Sequence, residues 1–256
     1  MCSCCILTDF SKKGEHEIIR QLNISYKKRM KIEEITINSK EYPEKLRNIY
    51  DAPQKIYVLG NKQLLKRLGI AVVGARKATM YGKKIAYKIS GELAENGINI
   101  ISGLAIGIDT CAHLGAIQAQ NSKNIKENLN IGKTIAVLGS GIDNIYPKEN
   151  TELARRIIKT GGCIISEYPL GSKPERLHFP QRNRIMSALS DGILVVEASK
   201  SSGSLITAEF ALEQGKEVFS IPGDITREQS QGCNELIKDG AIIITSTQEI
   251  LDIIKY

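Results

Sequence analysis

Histidine is scarce in this chain: its 256 residues hold only His16, His113 and His178. None stands beside an evident nucleophile and no Gly-x-Ser-x-Gly elbow occurs, so hydrolytic chemistry of the serine type has no visible carrier. A Walker sequence is also absent, and no apolar run approaches the roughly 18 residues of a membrane-spanning helix. The amino terminus, Met1-Cys-Ser-Cys-Cys-Ile-Leu-Thr-Asp, lacks the basic stretch and small-residue cleavage site of a secretory signal. A cytoplasmic protein without membrane insertion is expected. Cysteine is present six times, but Cys2, Cys4 and Cys5 crowd the amino terminus, while Cys111, Cys163 and Cys233 stand singly in apolar or helix-start settings. Paired metal-ligand spacing is missing and the compartment disfavours disulfides, so neither a metal site nor a disulfide framework is expected.

The formal net charge of +7 invites a nucleic-acid reading, but residues 1–69 hold 14 Lys and Arg against 8 Asp and Glu and so carry most of it. The remainder is nearly balanced. What matters there is clustering: Arg76 and Lys77 with Lys83, Lys84 and Lys88, and then Lys173, Arg176, Arg182 and Arg184.

From Gly69 onward short apolar runs alternate with helical stretches. These runs predict strands at Ile70-Ala-Val-Val73, Ile98-Asn-Ile-Ile101, Thr134-Ile-Ala-Val-Leu138, Cys163-Ile-Ile165, Ile193-Leu-Val-Val196, Glu217-Val-Phe219 and Ala241-Ile-Ile-Ile244, with Ile56-Tyr-Val-Leu59 ahead of them. Between them, Ile85, Ile89 and Leu93 form one helical stripe that Gly97 stops. Leu153 and Ile157 form another, with Asn150 as N-cap and Gly161 past its end. Repeated units of this kind predict an α/β protein with a Rossmann-like, doubly wound, mostly parallel sheet and helices on both faces. Residues 1–41 read as a basic amino-terminal extension in which Ile18, Ile19 and Leu22 form one side of a short helix. Residues 42–256 read as the main domain, interrupted by a polar surface loop at 121–130.

Ligands of such sheets bind at the carboxyl ends of the strands. Those ends here carry Gly74-Ala-Arg-Lys77, Ser102-Gly-Leu-Ala-Ile-Gly-Ile-Asp109, Gly139-Ser-Gly141, Ser166-Glu-Tyr-Pro169, Glu197 to Ser204, and Pro222-Gly223. Glycines and hydroxyls suit close approach to phosphate, and Gly203 and Ser204, with Thr207 beyond, open a helix whose free N–H groups attract an anion. Phe179-Pro-Gln-Arg-Asn-Arg184 adds an aromatic ring, Arg182, Asn183 and Arg184. A phosphate-bearing ligand with a flat base fits this set. Either arginine alternatively braces the loops through Glu167, Glu197 or Asp191; Asp109 reads as a helix cap and His113 as a packed helix histidine. A dinucleotide cofactor does not fit, because Arg76 stands where the second glycine of the fingerprint belongs and Gly139-Ser-Gly141 lacks the third. No cofactor is expected.

In unbroken order from about 42 to 245, Val73-Gly-Ala-Arg76, Ser102-Gly-Leu-Ala-Ile-Gly-Ile-Asp109, Tyr146-Pro-Lys-Glu-Asn150, Ser166-Glu-Tyr-Pro169, Phe179-Pro-Gln-Arg-Asn-Arg-Ile185, Ser202-Gly-Ser-Leu-Ile-Thr-Ala208 and Gly232-Cys-Asn-Glu-Leu-Ile237 resemble the DNA-processing protein A (DprA/Smf) family. The resemblance implies a non-enzymatic, single-stranded DNA-binding protein that protects DNA and helps load a RecA-type recombinase during natural transformation. It also implies a homodimer formed through the Rossmann-like domain. By motif position it places Arg76, Arg176 and Phe179 in the DNA groove, to which the strand-end reading adds Lys77, Arg182, Asn183, Arg184, Gly203, Ser204 and Thr207. Two departures stand out: Ile106 replaces the arginine usual in that loop, and the chain ends at Tyr256 without a carboxyl-terminal winged helix. An enzymatic alternative, a phosphoribohydrolase-like protein on a related sheet, needs Pro-Gly-Gly-x-Gly-Thr; this chain offers Ser202-Gly-Ser-Leu-Ile-Thr207 followed by Glu209.

Overall fold

Strand β3, Gly69–Val73, is buried along its whole length and lies near the middle of the sheet, as its unbroken apolar run predicts. The computed structural model describes residues 31–120 and 130–254. Around β3 the strands β1 (Glu33–Thr36), β2 (Lys55–Gly60), β4 (Asn99–Ser102), β5 (Thr134–Leu138), β6 (Cys163–Ser166), β7 (Gly192–Val195), β8 (Glu217–Ser220) and β9 (Ile242–Ile243) form one sheet. Their order is β1-β2-β6-β5-β4-β3-β7-β8-β9. Pairings from β6 through β9 are parallel, whereas β1 on β2 and β2 on β6 are antiparallel. From β3 the sheet grows outward through β4, β5 and β6, then restarts on the other side with β7. The doubly wound, mostly parallel architecture expected from the sequence is therefore the one observed.

Alternate side chains divide between two cores, as the pleat demands. Ala71, Val73, Ile193 and Val195 face one side, where they meet Ile185, Met186 and Leu189 of α5 (His178–Leu189) and Ala208 and Ala211 of α6 (Gly203–Glu213). The short α1 (Glu44–Arg47) contributes Leu46 to the same core. Ile70, Val72 and Ile100 face the other side, against α2 (Met80–Glu95) and α3 (Ile108–Ala119). The helix α4 (Thr151–Lys159) covers Ala136 and Ile164 there through Leu153 and Ile157. Elements α7 (Glu228–Lys238) and α8 (Thr247–Ile254) are the last helices among the described residues. Helices α2 and α3 approach closely at Gly115, where any Cβ would collide with the Tyr87 carbonyl. Thr79 caps α2 by accepting from the Gly82 N–H at 3.2 Å, and Gly97, at φ 86°, ends it.

Three local expectations meet a different structure. The stretch expected as an extension supplies an edge strand, β1, in which only Ile35 is buried. Asn150 occupies the N-cap position of α4 but makes no side-chain cap. Its amide instead donates to the Leu104 carbonyl at 2.8 Å and to Thr110 Oγ1 at 2.9 Å, tying the loop after β4 to α4. Asp109 lies in the first turn of α3 behind Gly107, and its carboxylate turns back to the Gly103 and Ala105 amides. The proposed short helix at Ile18, Ile19 and Leu22, the cysteines 2, 4 and 5, and nearly all of the 121–130 loop lie outside the described residues.

Candidate nucleic-acid interface

Neighbouring strands β3 and β7 send their following segments to opposite faces of the sheet, and this switch point leaves a crevice at their carboxyl ends. A cleft of about 690 Å³ opens there. One wall is the loop after β3, Gly74 to Lys77; the start of α5 and the start of α6 form the others, with Tyr146 from the loop after β5 at the rim. The β3 loop is held from behind. Ala75 N–H donates to the Glu197 carbonyl at 2.7 Å, and Ile108 N–H donates to the Ala75 carbonyl at 3.3 Å. A Cβ on Gly74 would stand 2.7 Å from Ile108 Cγ1 and 2.8 Å from the Glu197 carbonyl, so this turn needs glycine to bring Arg76 to the rim.

The rim is cationic and aromatic. Arg76, Lys77 and Arg176 are exposed, and Phe179 is half-buried among them. The Arg76 guanidinium carbon lies 5.5 Å from the Phe179 ring centre, within cation–π range. Tyr146 lies on Phe179 at 5.7 Å between ring centres, tilted by 47°. Two rings and three cations thus face the solvent around one opening.

Arg182 has a different setting. It is 6% exposed, lines the inner part of the cleft, and its Nη1 donates to the carbonyls of Gly103 at 2.6 Å and Val137 at 2.9 Å. Burial pulls its guanidinium below the usual range, and the Asp109 carboxylate opposes that pull. Burial pushes Asp109 up, opposed first by Arg182 and then by the Ala105 and Gly103 amides. Arg182 thus ties α5 to the loop after β4 and to strand β5, and Asp109 holds that same loop through its Gly103 and Ala105 amides. His113 is packed as expected: its Nδ1 is 2.6 Å from Thr134 Oγ1, and burial, helped by Arg182, brings its pKa down to about 3. It is neutral at physiological pH.

The α6 wall is polar, with Gly203 exposed at its mouth and Ser204 and Thr207 buried behind it. Ser202 caps the helix, its Oγ accepting from Ser204 N–H at 3.4 Å, and Asn183 donates to the Gly203 carbonyl at 3.1 Å. A Cβ on Gly203 would meet open space, so the helix terminus faces the cleft without a cover. Thr207 is 1% exposed, and its Oγ1, like Arg182 Nε, has no hydrogen-bond partner among the described residues.

Nine of the ten residues nominated from the sequence line this cleft: Arg76, Lys77, Arg176, Phe179, Arg182, Asn183, Gly203, Ser204 and Thr207. Arg184 does not. Two positions along α5 it points away, pairing with Asp51 at 2.5 Å and Glu167 at 2.7 Å, so it braces the first helix region against the loop after β6. That corrects its nomination in favour of the bracing alternative. Glu197 likewise serves the frame, accepting from Thr79 N–H at 2.8 Å and Thr79 Oγ1 at 2.5 Å at the start of α2. His178 stacks on Tyr168 with ring centres 3.8 Å apart. Among the residues not nominated, Tyr146, Ser199, Ser202, Glu228 and Gln229 also line the cleft. Tyr146 was visible as an aromatic in the segment after a strand; Glu228 and Gln229 carried no signal, because α7 reaches the rim only through tertiary packing.

This geometry defines a Rossmann-like α/β protein with a strand-end binding cleft. Residues 33–255 match the sequence profile described as DNA recombination-mediator protein A, and the chain belongs to that family. It is 46% identical over 210 residues to the DNA processing protein DprA of Streptococcus pneumoniae, covering 82% of this chain and 70% of that protein. Against protein Smf of Escherichia coli it is 42% identical over 222 residues, 87% of this chain but 56% of the relative. Among solved structures, the S. pneumoniae DprA superposes with a TM-score of 0.79 at 43% identity, covering 87% of this chain and 74% of that one. A Helicobacter pylori DprA structure, described for its single-stranded DNA binding mode, gives a TM-score of 0.74 at 31% identity, covering 86% of this chain and 94% of that one.

Proposed function

We propose that the switch-point cleft binds single-stranded DNA and leaves it chemically unchanged. The observation that carries this reading is the convergence of Arg76, Arg176 and Phe179, with Tyr146, on one opening. Unpaired strands are held by a positive track along the phosphates together with aromatic faces on which bases stack, and each stacked base contributes about 1–3 kcal/mol. A duplex keeps its bases stacked inside and cannot offer a face to Phe179 or Tyr146. Little sequence preference follows, because every base has a π-face. The description of the H. pylori relative supports the choice of ligand.

Within the cell, this binding serves DNA processing in transformation and recombination: the protein protects the strand and helps a RecA-type recombinase to assemble on it, acting as a homodimer in the cytoplasm. The family description as a recombination mediator supports this role. Against the hydrolase alternative, Glu209 is exposed and is not among the cleft-lining residues. Photocrosslinking with an oligonucleotide carrying 5-iodouracil tests the assignment: adducts on Tyr146 or Phe179 support it, and adducts confined to residues outside the cleft refute it.

A further inference from the structure

The lysine cluster that follows Arg76 in sequence is only partly used by the cleft. Lys77 lines it, but Lys84 and Lys88 lie beyond, on the outer face of α2. That helix buries Gly82, Ala86, Ile89, Ser90, Leu93 and Ala94. Positions 80, 81, 84, 87 and 88 are separated by the three- and four-residue steps that share the opposite face. Their side chains are two lysines, a methionine and two tyrosines. Tyr81 is 46% exposed, Tyr87 42% and Met80 79%, an unusual amount of ring and thioether to leave in water beside two cations. The only ion pair on this face among the described residues is Lys88 with Glu92, a long contact at 3.8 Å in which Lys88 is 63% exposed and Glu92, also held by Thr247, 40% exposed, so it neutralises little.

The start of this face is fixed to the cleft. Thr79 is tied to Glu197 at the end of β7, so α2 departs from the rim at a set point and runs away from it. Lys84 and Lys88 are one turn apart, about 6 Å along the axis. Acidic Glu92 and Glu95 close the last turns of the helix. A polynucleotide leaving the cleft past Lys77 therefore meets Tyr81, Lys84, Tyr87 and Lys88 in succession before reaching acids that repel it.

From this continuity we infer that the outer face of α2 is a second single-stranded DNA subsite, which holds the stretch of strand emerging from the cleft. The inference rests on the cleft reading for its starting point. It gives the protein a footprint longer than the cleft, with cations and rings interleaved as single-strand tracks require. The occupant is the same polynucleotide, because the face continues the cleft's cationic rim and complements a phosphate chain in charge.

Anisotropy titrations with oligo-dT of 5 and 20 nucleotides, across a salt series, test the inference in the full chain. For Lys84→Gln/Lys88→Gln, the 20-mer should bind at least fivefold more weakly at 0.1 M salt. Its log–log salt slope should be shallower by about 1.4, two phosphates' worth, while the 5-mer keeps its affinity within twofold. Tyr81→Ala should weaken the 20-mer about fivefold or more with no change in salt slope. Unchanged 20-mer affinity and slope in the lysine variant overturn the α2 subsite and assign those lysines to an ordinary solvated face. Arg76→Ala separates the two readings: it should weaken both oligonucleotides, and if it weakens neither, the cleft reading fails whatever the α2 variants do.

Discussion

The Arg76 guanidinium carbon stands 5.5 Å from the centre of the Phe179 ring, bringing the loop after β3 and the first turn of α5 together across the cleft mouth. In the proposed binding mode this cation and π-face would serve two parts of one nucleotide, the phosphate and the base. Arg76→Ala removes one phosphate contact and should flatten the salt slope for oligo-dT by about 0.7. Isothermal titrations at several salt concentrations measure it.

Phe179→Ala removes a stacking surface without altering charge. Its expected effect is a loss of about 1–3 kcal/mol in single-strand affinity with an unchanged salt slope. Phe179→Tyr should restore most of the loss. Because the ring is only half-buried, thermal unfolding of the alanine variant should stay close to wild type.

Arg184 tests the separation of frame from site. Its side chain is 10% exposed and held between Asp51 and Glu167, so Arg184→Gln leaves the largely buried Glu167 carboxylate without its charge partner. Loss of about 3 kcal/mol in urea unfolding is expected, with oligo-dT affinity within twofold of wild type. A large affinity loss in a protein of normal stability would contradict the placement.

His113 gives a pH dependence with a definite sign. Its folded pKa, about 3, lies below the ordinary histidine value, so between these values the unfolded chain binds the extra proton. This contribution to stability is complete above about pH 6.5 and is lost as pH falls toward 3, at up to about 1.4 kcal/mol per pH unit. His113→Gln, which can keep a bond to Thr134, should show a shallower decline in urea midpoint between pH 7 and 4.5. Comparing two proteins that differ only at this position cancels the opposing contribution of Asp109, whose carboxyl burial pushes up.

The sheet was legible because central parallel strands are buried on both faces and read as unbroken apolar runs, as in Ile70 to Val73. Strand β1 was not, since an edge strand with one buried side chain in Glu33-Glu-Ile-Thr36 carries no such run. Most of the cleft could be collected by taking the residues after each strand, because the switch point puts those ends together. Arg182 and Arg184 show the limit of that method. Two residues apart on a helix they point in nearly opposite directions, and only the packing of α5 decides which one enters the cleft. Asp51, the partner that takes Arg184 away, lies 133 positions earlier in the chain. The place of Tyr146 at the rim is not legible in the sequence, because its contact with Phe179 depends on the path of the loop after β5.

Equilibrium binding of oligo-dT and of a length-matched duplex to the same preparation, at 0.1 M salt, tests the central claim most directly. The account predicts at least tenfold preference for the single strand, largely abolished in Arg76→Ala/Phe179→Ala. Equal affinity for both forms, or a preference that survives in the double variant, would contradict it.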